Sequence, residues 1–363
     1  DQRLKNKIIA LGYNNIIECE SWKKYRLNKD ITIAIIPQIS SNTENIESDI
    51  EYDLDTSILI QANKSRRIFF NSVDNPLSLS DLKKVKSFSV KKFKSNIDAA
   101  CFPVGAAGEY PQCFFNINRN KEKKIVEKKS LKKIKSSLKI LKPKVFFPAG
   151  GSYLIAGKYS PLSKYIAQPK FNKMMKSLKN QNYKIYNILG EGEINYNKGK
   201  WICKNNNCSS SINIKSFINR YSKIKYHYSN RRKISIKELD KIYEQSLYNY
   251  KRKLLKFSVK SLWNLEFHIY NNLSVNSFGN LELKKSQLLK KYYLQNNKFT
   301  NLSLKKKKKS SWLKLHLDLN LFYDLLRRKY SWNQPLAGSL IMFERKPNIF
   351  DPNITFSLNF LTT

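Results

Sequence analysis

The chain has 363 residues, 41% of them hydrophobic and 13% aromatic, with a formal net charge of +41. This length and apolar content predict folded protein in two domains and exclude a disordered polycation. The charge alone would favour a nucleic-acid or anionic-membrane partner. Lysine, asparagine and isoleucine are, however, abundant along the whole chain, as in AT-rich coding sequences. We therefore give the charge little weight in assigning a function.

The cysteine content indicates a reducing compartment. The chain has five cysteines, an odd number at no disulfide-framework spacing, which predicts a cytoplasmic protein. Cys203 and Cys208 form one close pair without a second, so we expect free thiols there rather than structural zinc. No apolar run reaches the roughly 18 residues of a membrane helix. Because Asp1 is not methionine, we expect the natural N-terminus upstream.

The N-terminal half has the pattern of an α/β domain. Leu4, Ile8 and Leu11 predict a helix that stops at Gly12. Residues 78–96 predict a basic helix with a buried edge at Leu82 and Val85. The stretch 44–55 is acidic, against the charge of the rest of the chain. Short apolar runs predict strands at 16–19, 31–36, 57–61, 67–70, 99–104 and 145–147.

The segment between the last two of these strands predicts a crossover helix at 121–142. Ile134, Leu138 and Leu141 fall at helical spacing and leave the lysines on the outer face, and Pro143 ends the helix. A strand–helix–strand order of this kind predicts parallel pairing of the flanking strands.

The C-terminal part predicts an α+β module after a linker at 186–234 with some strand content. The sequence from Ser235 to Glu238 matches a capping box that opens a helix of about five turns. Further strands are predicted at 264–270, 281–284, 312–319, 339–344 and 354–361, with a helix at 320–329.

Two glycine-rich loops, 105–114 and 147–158, each follow an apolar run and predict a pocket. The first loop contains no lysine, and the second contains only Lys158, its last residue. Glycine and alanine at strand ends let backbone amides approach a ligand closely. Cys113 in the first loop is predicted to be a buried apolar residue rather than a nucleophile.

Four ordered segments resemble the metallo-β-lactamase-fold branch that contains CMP-N-acetylneuraminic acid hydroxylase and related bacterial proteins. Asn71-Ser-Val-Asp74 matches a strand end, and 105–114 contains the Tyr-Pro-Gln-Cys-Phe pattern. Residues 148–158 match the Pro-x-Ala-Gly-Ser-Tyr segment, with one extra glycine. The segment from Tyr330 to Arg345 resembles the branch's His-Trp-Asn-Asn-Ala-Glu-Ile-Gly-Ser segment.

The resemblance implies an αββα-type α/β fold, incomplete at the N-terminus, in which 1–185 is the C-terminal portion of a metallo-β-lactamase-like domain. Residues 186–234 are then the linker, and 235–363 a smaller α+β module. It also implies a metal-dependent hydrolase or hydroxylase that acts on a nucleotide-linked or phosphorylated amino sugar in surface-glycan metabolism. The implied cofactor is a divalent metal, zinc or iron.

The chain departs from the branch in its metal ligands. It has three histidines, and none belongs to a His-x-His-x-Asp-His loop. By the positions of the matches, that loop is expected upstream of Asp1; the alternative is a form of the branch without the motif. Gln38 stands where some relatives have histidine, and no Rieske iron–sulfur motif is present.

The resemblance implies five site residues in the N-terminal half of the chain. Asp74 is the implied metal ligand, since a carboxylate just after a strand can bridge cations; the alternative is a turn cap. Tyr110, Gln112, Tyr153 and Lys158 are implied to bind the sugar, by hydrogen bonds and positive charge. The alternative places the two tyrosines in a turn and in the core.

Trp332, Asn333 and Arg345 lie in the matched C-terminal segment. We expect them to line an inter-domain cleft that binds substrate; the alternative is that Trp332 anchors the core of the module.

Two other functions stay open. The first is a catalytically degenerate protein that binds an anionic sugar or a partner. The second is a nucleic-acid-binding protein in which the run from Lys305 to Lys309, with Trp312, grips phosphates and stacks a base.

Overall fold

The structure, a computed structural model, describes residues 2–37, 56–72, 75, 77–105, 108–149, 153–178, 183–188, 192–204, 213–230, 234–257, 259, 263–282, 286–295 and 311–363. The chain divides into two compact units, each drawn from three segments. Unit 1 comprises Asp1–Val104, Lys132–Gly151 and Met175–Ser210. Unit 2 comprises Gly105–Leu131, Ser152–Met174 and Ser211–Thr363. Both contain helices and strands, so the fold is mixed α/β. The assignment of 1–185, 186–234 and 235–363 to family domains stays a prediction.

Unit 1 contains a seven-stranded sheet whose spatial order follows the chain. Its strands are β1 (Lys24–Arg26), β2 (Ile31–Ile36), β3 (Ser57–Ala62), β4 (Arg67–Asn71), β5 (Ile97–Pro103), β6 (Val145–Ala149) and β7 (Lys184–Ile185). Strands β1 to β4 pair antiparallel, and β4 to β7 pair parallel. The parallel pairing of β5 with β6 confirms the strand–helix–strand prediction. A separate hairpin joins β8 (Glu193–Asn197) to β9 (Lys200–Lys204).

The first three helices confirm the sequence signals that predict them. Helix α1 (Gln2–Ala10) ends just before Gly12, whose φ of +92° favours glycine. Helix α2 (Leu79–Phe88) begins at a capping box in which Ser78 and Asp81 bond each other's backbone amides. Helix α3 (Arg119–Leu141) buries the apolar stripe at 134, 138 and 141.

Unit 2 contains a four-stranded sheet in the order β11-β10-β12-β13. The strands are β10 (Asn264–Tyr270), β11 (Leu288–Gln295), β12 (Trp312–Asp318) and β13 (Met342–Lys346), and β10 pairs parallel with β12. The remaining helices are α4 (Phe171–Ser177), α5 (Ile214–Tyr221), α6 (Ile236–Lys256), α7 (Leu319–Leu326), α8 (Asn333–Ala337) and α9 (Pro352–Leu358). Phe267 of β10 packs against Phe322 and Trp332, which places the core on this face of the sheet.

Some predictions from the sequence are wrong. Residues 354–361, predicted as a strand, lie largely in helix α9, because Asp351 caps it and Pro352 begins it. Residues 16–19 form no strand, and near 281–284 the described part contains only the bridge at Leu281. Cys203 is disulfide-bonded, against the expected free thiol. Cys113 is fully buried, as predicted. No helix within the described ranges is both long and apolar enough to cross a bilayer.

Candidate functional site

Gln112, in the first glycine-rich loop, is the centre of a hydrogen-bonded cluster. Its side chain is fully buried, and Nε2 donates to the Tyr153 hydroxyl at 2.7 Å and to Ser339 Oγ at 3.0 Å. Tyr153 donates in turn to the Gly108 carbonyl at 2.8 Å, and Gln112 Nε2 contacts the same oxygen. Gln112 Oε1 has no partner among the described residues. The structure therefore brings two predicted site residues together and leaves one buried acceptor unpaired.

Tyr110 lies beside Arg345, a residue of β13. The Arg345 guanidinium lies 4.8 Å from the centre of the Tyr110 ring and 4.5 Å from that of Phe114. The Tyr110 hydroxyl donates to Glu122 Oε2 at 2.6 Å and accepts from Asn348 Nδ2 at 3.2 Å. Both aromatic rings thus lie within cation–π distance of the guanidinium.

Arg345 is only 9% exposed, and no described carboxylate lies within 4.0 Å of its guanidinium. Its Nε donates to Asn348 Oδ1 at 3.0 Å, and Asn116 bonds both its backbone groups. Burial lowers the pKa of Arg345, and the nearby Tyr110 and glutamates oppose that shift. A buried cation without an ion pair favours an anionic ligand, since a ligand carboxylate or phosphate would supply the missing charge.

A small cavity of about 30 Å³ adjoins Arg345 and Glu109. Its other walls are mainly apolar and include Phe114, Leu313 and Ile354. This volume exceeds the roughly 10–15 Å³ that a water molecule needs, so one water or one methyl-sized group fits. Burial raises the pKa of the Glu109 carboxyl, and the charge of Arg345 only partly opposes this.

Lys158 is bound to a carboxylate of its own unit. Its Nζ lies 2.9 Å from Asp318 Oδ2, and Asp318 is also contacted by the Tyr159 and Tyr228 hydroxyls at 3.1 and 3.2 Å. The Leu273 amide donates to Asp318 Oδ1 at 2.9 Å. Asp318 thus balances the positive charge of Lys158, the residue that the resemblance implies as a ligand contact.

The two residues of the C-terminal segment differ in environment. Trp332 is fully buried, and its indole N–H donates to the Leu361 carbonyl at 3.4 Å. Asn333 is exposed at the start of α8. The contacts of Trp332 are those of a core residue, whereas the side chain of Asn333 is accessible to solvent.

The described residues do not fit a metal centre. No group of three or more His, Cys, Asp or Glu side chains among them is arranged to hold a metal ion. The predicted ligand Asp74 lies outside the described residues, as does the run Lys305–Lys309. The ligand role of Asp74 therefore stays a prediction, and we derive no reaction step through a metal.

The structure also joins two histidines that are far apart in the sequence. Parallel pairing places His268 of β10 beside His316 of β12, with ring centroids 5.1 Å apart. His316 Nε2 lies 2.9 Å from Glu344 Oε1, and its Nδ1 lies 3.0 Å from the Tyr270 hydroxyl. The sequence offers one signal for this pair, since each histidine occupies a polar position in an apolar–polar alternation near the end of a predicted strand.

Comparison with known proteins gives weak similarity to three solved structures, each 12% identical in sequence. A variant of CmlA β-hydroxylase matches with TM-score 0.33 over 51% of this chain and 35% of that chain. CmlA, a diiron β-hydroxylase from Streptomyces venezuelae, matches with TM-score 0.31 over 51% and 35%. A provisionally assigned metal-dependent hydrolase from Parabacteroides distasonis matches with TM-score 0.27 over 50% and 61%.

In each case the match spans less than two thirds of the known chain, and TM-scores this low carry no argument about function. No family profile matches the sequence, and no curated protein matches it. None of the three structures is a CMP-N-acetylneuraminic acid hydroxylase, so that resemblance stays a prediction.

Proposed function

We propose that this chain binds a nucleotide-linked or phosphorylated amino sugar, as part of a metal-dependent hydrolase or hydroxylase of surface-glycan metabolism. In this proposal the metal ligands, Asp74 among them, lie outside the described residues. The phosphate or carboxylate of the sugar binds Arg345, and its hydroxyl groups bind the cluster around Gln112.

The observation that carries the proposal is the environment of Arg345. The guanidinium is nine-tenths buried and has no carboxylate partner within the described ranges. The burial of this charge is only partly offset by the nearby Glu109 and Glu122, and an anionic ligand that forms bidentate hydrogen bonds lowers the remaining cost. The Tyr110 and Phe114 rings lie within cation–π distance of the guanidinium and restrict its orientation before the ligand arrives.

Two other features of unit 2 support an amino sugar among anionic ligands. The unpaired Gln112 Oε1 is an acceptor for a sugar hydroxyl or an amide N–H. The cavity beside Arg345 takes a group of methyl size against apolar walls, as the methyl of an acetamido group requires.

A second candidate is a protein that binds the same ligand class but no longer catalyses a reaction. The observation that favours it is the lack of any suitable group of metal-ligating side chains in the described part of the chain. Both candidates use the Arg345 site, so binding and metal content must be measured separately.

Isothermal titration of the full chain with N-acetylglucosamine 1-phosphate, CMP-N-acetylneuraminic acid and neutral N-acetylglucosamine tests binding. We expect at least one charged sugar to bind about tenfold or more tightly than the neutral sugar, since a hydrogen bond to a charged group contributes roughly 1.5–3 kcal/mol. Equal affinity for all three sugars, or no binding, would contradict the proposal.

Metal analysis of the same protein, purified with Zn²⁺ or Fe²⁺ present, separates the two candidates. Stoichiometric metal that is lost in Asp74→Asn favours the enzyme. Sugar binding without retained metal favours the degenerate binder.

A further inference from the structure

Helix α2 and the π-helical turn that follows it carry a dense group of lysines on one surface of unit 1. The turn spans Ser89–Phe93, and Leu82, Val85 and Phe93 bury the opposite side of this segment. Lys83 and Lys91 are exposed, and no described carboxylate forms an ion pair with either. Lys84 lies 3.7 Å from Asp81, the residue that caps the helix.

Two open hollows on this surface lie next to each other, since Ser87 and Lys91 line both. The first, of about 330 Å³, is lined by Trp22, Lys84, Ser87, Phe88, Lys91 and Lys92. The second, of about 490 Å³, is lined by Lys83, Lys86, Ser87, Val90, Lys91, Lys139 and Ile140. We call the two together the lysine groove. Every charged side chain that lines it is a lysine, which makes it complementary to a polyanion.

The lysines have positions that the fold defines. Lys86 Nζ donates to the Ile140 carbonyl at 2.8 Å, which joins α2 to the end of α3 beside the second hollow. Positions 84, 87 and 91 follow at intervals of three and four residues, so they share one helical face. The groove therefore presents positive charge along a line of about two helical turns, roughly 10 Å.

The first hollow also has an aromatic wall. Trp22 packs edge-to-face on Phe88 with ring centroids 5.3 Å apart, and both side chains are partly exposed. The Trp22 amide donates to the Ile35 carbonyl at 2.9 Å, and its φ of 61° turns the chain at this point. A partly exposed indole beside lysines offers a stacking surface for a base.

We propose that the lysine groove binds single-stranded nucleic acid, with Lys83 and Lys91 on the phosphates and a base stacked on Trp22. Single-stranded binding sites combine a basic groove with aromatic platforms, and the base is available for stacking only when it is unpaired. This site lies in unit 1 and is independent of the proposed sugar site in unit 2.

Fluorescence anisotropy of the full chain with a labelled dodecathymidylate, over a range of salt concentrations, tests the proposal. The variants are Lys83→Gln with Lys91→Gln, and Trp22→Leu. The matched control is Lys29→Gln with Lys64→Gln, two exposed turn lysines of unit 1 that do not line the groove.

Loss of two phosphate contacts should reduce the slope of log affinity against log salt by about 1.4, at about 0.7 per phosphate on single strands. Trp22→Leu should weaken binding about 5- to 150-fold, the equivalent of 1–3 kcal/mol of stacking, and leave the salt slope unchanged. The control pair should change neither quantity.

Three outcomes would overturn the proposal. The first is a control pair that lowers the slope as much as the groove pair, which indicates diffuse charge. The second is competition by duplex DNA or phosphatidylserine vesicles that equals competition by unlabelled single strand. The third is unchanged affinity in Trp22→Leu, with circular dichroism confirming that the variant is folded.

Discussion

His268 and His316 lie side by side on parallel strands, and each has a carboxylate partner on the same face of the sheet. Glu266 Oε2 lies 3.3 Å from His268 Nε2, and Glu344 Oε1 lies 2.9 Å from His316 Nε2. Burial is the main cause that lowers the pKa of His268, and the charges of His316 and Lys291 add to it. The bond from His316 lowers the pKa of Glu344.

Protonation of His268 should destabilise the protein. The folded-state pKa of His268 lies below the unfolded value of about 6.5, so the folded state binds fewer protons. Its contribution to stability is present above about pH 6.5 and is lost as pH falls through the folded-state pKa. Urea unfolding of His268→Gln between pH 7 and pH 5 should show a shallower loss of unfolding free energy than the wild type. The exposed His227 gives the control His227→Gln, and equal slopes in all three proteins would contradict the account.

Glu109 should have the opposite pH dependence. Burial raises its folded-state pKa above the unfolded value of about 4.3. Its contribution to stability is therefore present below about pH 4.3 and is lost as pH rises through the folded-state pKa. We expect Glu109→Gln to raise the melting temperature at pH 7 and to lose that advantage at pH 4. Glu244→Gln, at an exposed position, should have no such effect, and a melting temperature of Glu109→Gln equal to the wild type at pH 7 would be contrary evidence.

Asp318 should contribute more to stability than its partner Lys158. Asp318→Ala leaves the buried donors of Tyr159, Tyr228 and Leu273 unpaired, and we expect it to cost roughly 3–5 kcal/mol of unfolding free energy. Lys158→Met removes one partly exposed cation while those donors still bind the carboxylate, so about 2 kcal/mol is expected. Denaturant titration compares the two, and a larger cost for Lys158→Met would contradict the geometry.

Trp332 and its neighbour Asn333 form a matched pair of core and surface positions. Trp332→Ala empties a fully buried site and should cost about 3–5 kcal/mol. Asn333→Ala, at an exposed position, should change the unfolding free energy by less than about 0.5 kcal/mol. Comparable losses in the two variants would show that the core of unit 2 lies elsewhere.

The sequence predicted those parts of the fold that depend on local signals. The capping residue Ser235 and the stop at Gly12 mark helix ends because each acts within a few residues, whereas the cap at Ser78 was not among the predictions. In strand β11, Leu288–Gln295, the residues come in pairs, Leu-Leu-Lys-Lys-Tyr-Tyr, rather than in apolar–polar alternation, and the strand was not predicted. The segment 354–361 is a short apolar run, and periodicity alone does not distinguish strand from helix there.

Most of the candidate site was beyond sequence reasoning. Arg345 lies 235 residues beyond Tyr110, and the two come together in the folded chain through the bridge between Phe114 and Phe343 of β13. For the same reason His268 and His316, 48 residues apart, gave no recognisable motif. The resemblance predicted Tyr110, Gln112 and Tyr153 as site residues from local motifs, whereas the charged partners that define their environment are contacts of the folded chain.

The most direct test of the central claim is the affinity of wild type and Arg345→Met for N-acetylglucosamine 1-phosphate and for neutral N-acetylglucosamine, by isothermal titration. If Arg345 receives the anion, the variant should lose about 10- to 150-fold in affinity for the phosphorylated sugar and little for the neutral one, since a hydrogen bond to a charged group contributes roughly 1.5–3 kcal/mol. An unchanged preference for the phosphorylated sugar in Arg345→Met would contradict the account.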